Sequence, residues 1–316
     1  MKTSTYCTSR VRIAAFCTIV LTVGFAARAA AEDYIKSYPI AGRAQVAVRA
    51  ENATVRVTTS DSPTVAFDVT YDPRDWSGQK LPISSRQSGN SVTLTVIPER
   101  HEWWDWDFWN WGHESGQRLN VEVRMPRNAD LQLETSNGAV DVASLNGDIG
   151  IHTSNGQIRA EQLSGTMDIG SSNGTIALET LKGTLKVHTS NGAISATGLD
   201  GQCGLYTSNG RIQVTGRFDS LDISSSNGPV TARAESGSSM SSGWTIRTSN
   251  SRIDLSVPTD LKATLNASTS NGEITVELPV SVQGFQSRTR LAGTINGGGP
   301  ELSISTSNGS MWVRGI

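Results

Sequence analysis

The chain has 316 residues, room for two ordinary domains or one long repeat array, and a formal net charge of −2 at pH 7. So small a net charge removes the electrostatic case for nucleic acid as a partner. The 31 glycines, the modest share of charged residues and the abundance of Ser, Thr and Asn point to an all-β repeat protein.

Residues 1–31 read as a secretory signal peptide. Lys2, Arg10 and Arg12 form a positive start, residues 13–27 an apolar stretch, and Ala27-Arg28-Ala29 and Ala29-Ala30-Ala31 offer small-residue cleavage sites. The apolar run is shorter than the roughly 20 residues that span a bilayer, so the expected product is an exported chain: periplasmic, on the cell surface or secreted. Phe16 is bulky where a lipoprotein leader needs a small residue before Cys17. Only Cys203 survives cleavage, which leaves no partner for an intrachain disulfide, and its setting predicts a buried small hydrophobe.

Residues 32–126 carry strand signals at 45–49, 53–59, 64–71, 91–97 and 118–125, punctuated by Pro63, Pro73, Pro82, Pro98 and Pro126. They predict an N-terminal β cap, antiparallel or mixed, over the open first edge of a repeat array, since bare sheet edges invite aggregation. Wider, degenerate coils of the same array are the other reading. Within the cap, a loop at 101–117 holds Trp103, Trp104, Trp106, Phe108, Trp109 and Trp111, interleaved with Asp105, Asp107 and Asn110. Either these rings form an exposed tip for an envelope glycan, a membrane interface or a protein partner, or they fold back and plug the end of the array.

From residue 127 to 316 the chain is repetitive. Ser-Asn-Gly returns every 18 residues, with its asparagine at Asn137, Asn155, Asn173, Asn191, Asn209 and Asn227. At that period Leu131, Ile149, Met167, Leu185, Cys203 and Leu221 form one column and Leu133, Ile151, Ile169, Val187, Leu205 and Ile223 another. Apolar and polar residues alternate within each unit, which is the period of a strand. The prediction is a parallel β-solenoid of 18-residue coils, right-handed by the crossover preference, with the asparagine amides bonding in a ladder at the corner. Asn and Gly at the corners suggest positive φ there. After residue 230 the beat loosens through Asn250, Asn271 and Asn308, read as successive coils, and Trp312 is expected to plug the far end.

The leader, the strand cap, Met125-Pro126 leading into Asp130-Leu131, the Thr-Ser-Asn-Gly repeats and the ending Gly297-Gly298-Gly299-Pro300 then Thr306-Ser307-Asn308-Gly309 resemble the bacterial putative-adhesin family of β-strand repeat proteins. That resemblance implies a secreted or envelope-associated β-solenoid of unknown function. It brings no catalytic residues, and the tryptophan loop is not part of the motif.

Chemistry is sparse. The outward column from Asp148 continues through Thr166, Thr184, Gln202 and Ser220; the next runs Gly150, Asp168, Lys186, Gly204 and Asp222. Asp168 and Lys186 suggest a surface ion pair, and His152 and His188, two coils apart, suggest a solvated pair too distant to share a metal. A calcium β-roll would need a column of aspartates in place of the asparagines. No cofactor is expected. The function inferred is a non-enzymatic exported or envelope scaffold that binds a surface or partner; a glycan-active β-helix enzyme and a purely structural assembly element are the alternatives.

Overall fold

The repeat lays like residues side by side. The computed structural model describes residues 32–72, 81–96, 119–282 and 286–316. In it Leu131, Ile149, Met167, Leu185, Cys203 and Leu221 are consecutive partners on parallel strands. Leu133, Ile151, Ile169, Val187, Leu205 and Ile223 do the same two residues on, and all six are fully buried. Val140, Ile158, Ile176, Ile194, Ile212 and Val230 form the facing buried column. Each such side chain contributes about 1.5–3 kcal/mol by leaving water, a gain renewed with every coil. The fold is an all-β, largely parallel solenoid.

There are 24 strands and no helix among the described residues. The first seven are β1 (Glu32–Pro39), β2 (Ala44–Ala50), β3 (Ala53–Ser60), β4 (Thr64–Tyr71), β5 (Ile83–Ser88), β6 (Ser91–Val96) and β7 (Leu119–Pro126). The regular array comprises β8 (Ala129–Thr135), β9 (Val140–Ala143), β10 (Asn146–Thr153), β11 (Ile158–Glu161), β12 (Ser164–Ser171), β13 (Ile176–Thr189), β14 (Ile194–Thr207), β15 (Ile212–Ser225) and β16 (Val230–Ala234). The last eight are β17 (Trp244–Thr248), β18 (Ile253–Val257), β19 (Ala263–Thr269), β20 (Ile274–Glu277), β21 (Val280–Val282), β22 (Arg290–Ile295), β23 (Glu301–Thr306) and β24 (Met311–Gly315). β13, β14 and β15 each run unbroken from the second strand of one coil into the first strand of the next.

The Thr-Ser-Asn-Gly corner works through three columns at once. The Thr or Ser hydroxyl is buried and accepts the N–H of the glycine three residues on, at 2.8–3.2 Å in the turns of Gly156, Gly174, Gly192, Gly210 and Gly228. In several coils the same hydroxyl donates to a glycine carbonyl of the adjoining coil, as Thr248 does to Gly228 at 3.1 Å. The asparagines bond amide to amide in one ladder, Asn52-Asn137-Asn155-Asn173-Asn191-Asn209-Asn227-Asn250-Asn308-Asn271, at 2.5–2.8 Å. The expectation of positive φ at this corner is corrected. Neither Gly156 nor Gly174 has a positive φ; a β-carbon on either would fall well inside 3.0 Å of the neighbouring glycine's carbonyl oxygen. Glycine is needed for close stacking. At the opposite corner the expectation holds: positive φ sits there on the bend glycines Gly165, Gly183 and Gly201, and also on Ser144, Gln162, Thr180 and Gly198.

The coils do not stack in chain order at either end. β2 pairs in parallel with both β6 and β8, and β3 with both β7 and β9, so the coil β2–β3 lies between β6–β7 and β8–β9. Antiparallel strands finish that end: β5 on β6, β4 on β7 and β1 on β4. The other end repeats the device. β23 lies in parallel between β17 and β19, and β24 between β18 and β20, while β22 and then β21 add antiparallel strands beyond β19. The expected succession Asn250, Asn271, Asn308 is therefore corrected to Asn250, Asn308, Asn271. Trp312 is not a plug: in β24, Met311 and Val313 are buried while Trp312 is 38% exposed on the outer face of an internal coil. Trp244, by contrast, is fully buried, edge-on to Phe218 with centroids 6.1 Å apart.

Gly174→Ala should lower stability by about 1–3 kcal/mol through overpacking, whereas exposed Gln157→Ala should change it by less than about 0.5 kcal/mol, both read by denaturant unfolding. Deleting residues 298–316 should strip hydrogen-exchange protection from β19, β20 and β22 while sparing β10 to β15; unchanged protection in β19 would contradict the tucked coil.

Candidate functional site

The outer face of the sheet containing β8, β10, β12, β13, β14 and β15 concentrates the polar chemistry. Three glycines interrupt it, and at each a neighbouring side chain lies over the gap. Gln132 covers Gly150, Tyr206 covers Gly204, and His152 and His188 converge on Gly170. Glu134, His152, Gly170, His188 and Tyr206 are successive partners in one column.

The solvated, separated histidine pair is corrected. Their backbones stand two coils apart, but with no side chain on Gly170 the rings lean together to a centroid distance of 5.7 Å at 37°. His188 also displaces Lys186 as the partner of Asp168, with Nδ1 at 3.7 Å from Asp168 Oδ1. That carboxylate oxygen is buried and accepts no hydrogen bond. Farther along, the Tyr206 hydroxyl donates to Asp222 Oδ2 at 2.8 Å, and burial, seconded by Asp222, pushes its pKa up to about 12.

A second polar feature adjoins β2, β8 and β10, where a groove of about 320 Å³ is lined by Gln45, Ser91, Asp130, Gln132 and Asp148. Reading the column from Asp148 onward missed Asp130, which stacks one coil away and accepts the Asp148 N–H at 3.0 Å. Arg43 Nη2 lies 2.6 Å from Asp130 Oδ1 and, by hydrogen bonding, holds that carboxyl below the usual range against the opposing effect of burial. The signal was in the sequence, since Asp130 and Asp148 are 18 apart; the Arg43 partner was not, because it comes from the tucked coil.

Trp103, Trp104, Trp106, Phe108, Trp109 and Trp111 lie outside the described residues, as does the leader at 1–31. The strands flanking the tryptophan segment are described: Val96 at the end of β6 sits beside Ala50, and Leu119 at the start of β7 beside Ala53. The segment thus departs from the corner that Asn52 occupies in the adjoining coil. Asn137, Asn155, Asn173, Asn191, Asn209 and Asn227 line that same corner. Among the described residues, no group of three or more His, Cys, Asp or Glu side chains is placed to hold a metal ion.

Stacked parallel coils, glycine-packed corners and antiparallel closing strands at both ends define a capped β-solenoid repeat protein. The chain belongs to the Toastrack DUF4097 family, whose match covers residues 44–314, from the first residue of β2 into β24. No curated protein matches it. Among solved structures it is similar to a putative adhesin from Bacteroides fragilis, at 9% identity and TM-score 0.35 over 90% of this chain and 97% of that one. A putative lipid binding protein from Parabacteroides distasonis has 12% identity and TM-score 0.33 over 90% and 96%. A putative cell adhesion protein from Clostridium sporogenes has 9% identity and TM-score 0.25 over 91% and 100%.

Cys203 is not a reactive site. It is buried, with Leu185 and Leu221 as its strand partners, and burial pushes its thiol well above the ordinary range. Folded protein at pH 8 should leave Cys203 unalkylated by iodoacetamide, and denaturant should release it; rapid labelling of the native chain would contradict the packing.

Proposed function

We propose that the protein is a non-enzymatic, exported envelope scaffold whose stack presents the tryptophan-rich segment to a partner at the cell surface. The observation that carries this proposal is the size of the departure at one corner. Glu51 and Asn52 suffice to join β2 to β3, whereas residues 97–118 join β6 to β7 in the coil beside them. That connection holds five of the eight tryptophans of the chain, and the neighbouring coils turn the same corner without them. Trp combines a large apolar face with an N–H donor, which suits glycan rings, a membrane interface or a protein groove. The interleaved Asp105 and Asp107 count against an anionic lipid surface.

Export is supported by the leader-like residues 1–31. The non-enzymatic reading is supported by the engagement of Asp130, whose Oδ1 already takes Arg43 Nη2 at 2.6 Å and the Asp148 N–H at 3.0 Å. Replacing Trp104, Trp106 and Trp109 together by alanine should abolish retention on isolated envelope material while leaving the melting temperature unchanged. Retention equal to that of the unaltered protein would remove the binding segment from the account, and turnover of a glycan by purified protein would overturn the non-enzymatic reading.

A further inference from the structure

The geometry points to a transition-metal site at His152 and His188, for a divalent cation of the zinc, nickel or copper class, independent of the tryptophan segment. Three observations converge on it. First, Gly170 clears a gap between the two imidazoles: a β-carbon there would lie inside 3.0 Å of both His188 Nε2 and His152 Nδ1, so both nitrogens border the space that it leaves empty. The rings are already 5.7 Å apart between centroids, although their strands are separated by a whole intervening coil.

Second, the remaining nitrogen of His188 has a carboxylate beside it. Asp168 Oδ1 lies 3.7 Å from Nδ1, is buried, and receives no hydrogen bond. A carboxylate behind an imidazole is the arrangement that fixes a ligating tautomer: a small approach of the ring would let Nδ1–H donate to Asp168 and leave the lone pair of Nε2 free at the Gly170 gap. Third, the site faces water. His188 is 50% exposed and His152 partly so, which leaves the outer coordination positions open to solvent molecules.

The donor set selects the cation. Neutral imidazoles suit zinc, nickel and copper(II), whereas calcium and magnesium take oxygen ligands. Metal–nitrogen bonds of about 2.0–2.1 Å require the two nitrogens at roughly 3.3 Å in a tetrahedral site, a closure that small ring rotations supply at the surface. Two protein nitrogens with water in the other positions make a site of micromolar class rather than a permanent structural one. The nearby charges permit binding: Glu134, next to His152 in the column, is paired with Arg49 at 3.1 Å, and Lys186, one coil from Asp168, is exposed and able to swing outward.

The test is isothermal titration of the full chain with NiCl2 and ZnCl2 at pH 7.5, alongside His152→Gln, His188→Gln, the double variant, Asp168→Asn and Gly170→Ala. One equivalent should bind with a Kd on the order of micromolar. Either glutamine variant should weaken binding at least tenfold, Gly170→Ala should abolish it by filling the gap, and Asp168→Asn should weaken it about tenfold. Melting of each variant without metal separates lost binding from lost fold. Because the chain has four histidines, and His101 and His113 flank the tryptophans, stoichiometric binding that persists in the double variant would overturn the site. So would the absence of heat in the unaltered protein at 100-fold higher metal than about 1 μM.

Discussion

The structure depends on how closely one coil approaches the next at the Ser-Asn-Gly corner. There the backbone of one turn presses against the glycine carbonyl of its neighbour, leaving no space for a β-carbon. Close approach keeps the buried hydroxyls of Ser171, Thr207, Thr248 and Thr269 within bonding distance of the glycine carbonyls of the adjoining coil. It also brings the asparagine amides into a single chain of bonds. A net hydrogen bond is worth only about 0.5–1.5 kcal/mol, so no one rung decides stability. The ladder instead fixes register, because a slip of one residue would send every aliphatic of a coil to the solvent face.

Register solves the middle of a solenoid and leaves its ends exposed. Each parallel coil offers unpaired backbone groups to whatever comes next, a standing invitation to association. Here the coils nearest the two chain ends, β2–β3 and β23–β24, are each held between two others, and the outermost coils are closed by antiparallel strands. Tucking a coil inward gives it hydrogen-bonding partners on both sides, so fraying from the C-terminal strand β24 cannot begin without separating it from β18 and β20 at once. Asn52 and Asn271 become the ends of the ladder for the same reason, although neither falls on the 18-residue beat.

Periodicity encodes placement within a coil, and that decides how much of the fold was legible in the sequence. The columns from Leu131 to Leu221 and from Asn137 to Asn227 were legible because identical spacing requires identical placement. The non-sequential order was not, since the 37-residue spacing of Asn271 and Asn308 fixes the face each asparagine occupies but not which neighbour it meets. Glycine at the corner was correctly tied to the turn and given the wrong cause, because close approach and positive φ leave the same letter in the sequence. The histidine pair was hidden similarly: His152 and His188 are two coils apart by count, and only the missing side chain at Gly170 lets the rings meet.

The coils form a linear stack in which distance grows with coil position rather than with sequence separation. That order is tested most directly by electron–electron resonance between spin labels on exposed corner serines, in a chain with Cys7 and Cys17 replaced by serine. Taking Ser154→Cys as the fixed site, Ser226→Cys should lie about 19 Å away, Ser307→Cys about 29 Å and Ser270→Cys about 34 Å, at roughly 4.8 Å per coil. Agreement in that order supports both the register and the tucked end. A label at 270 nearer to 154 than one at 307, or distances that fail to rise along the corner, would contradict the account.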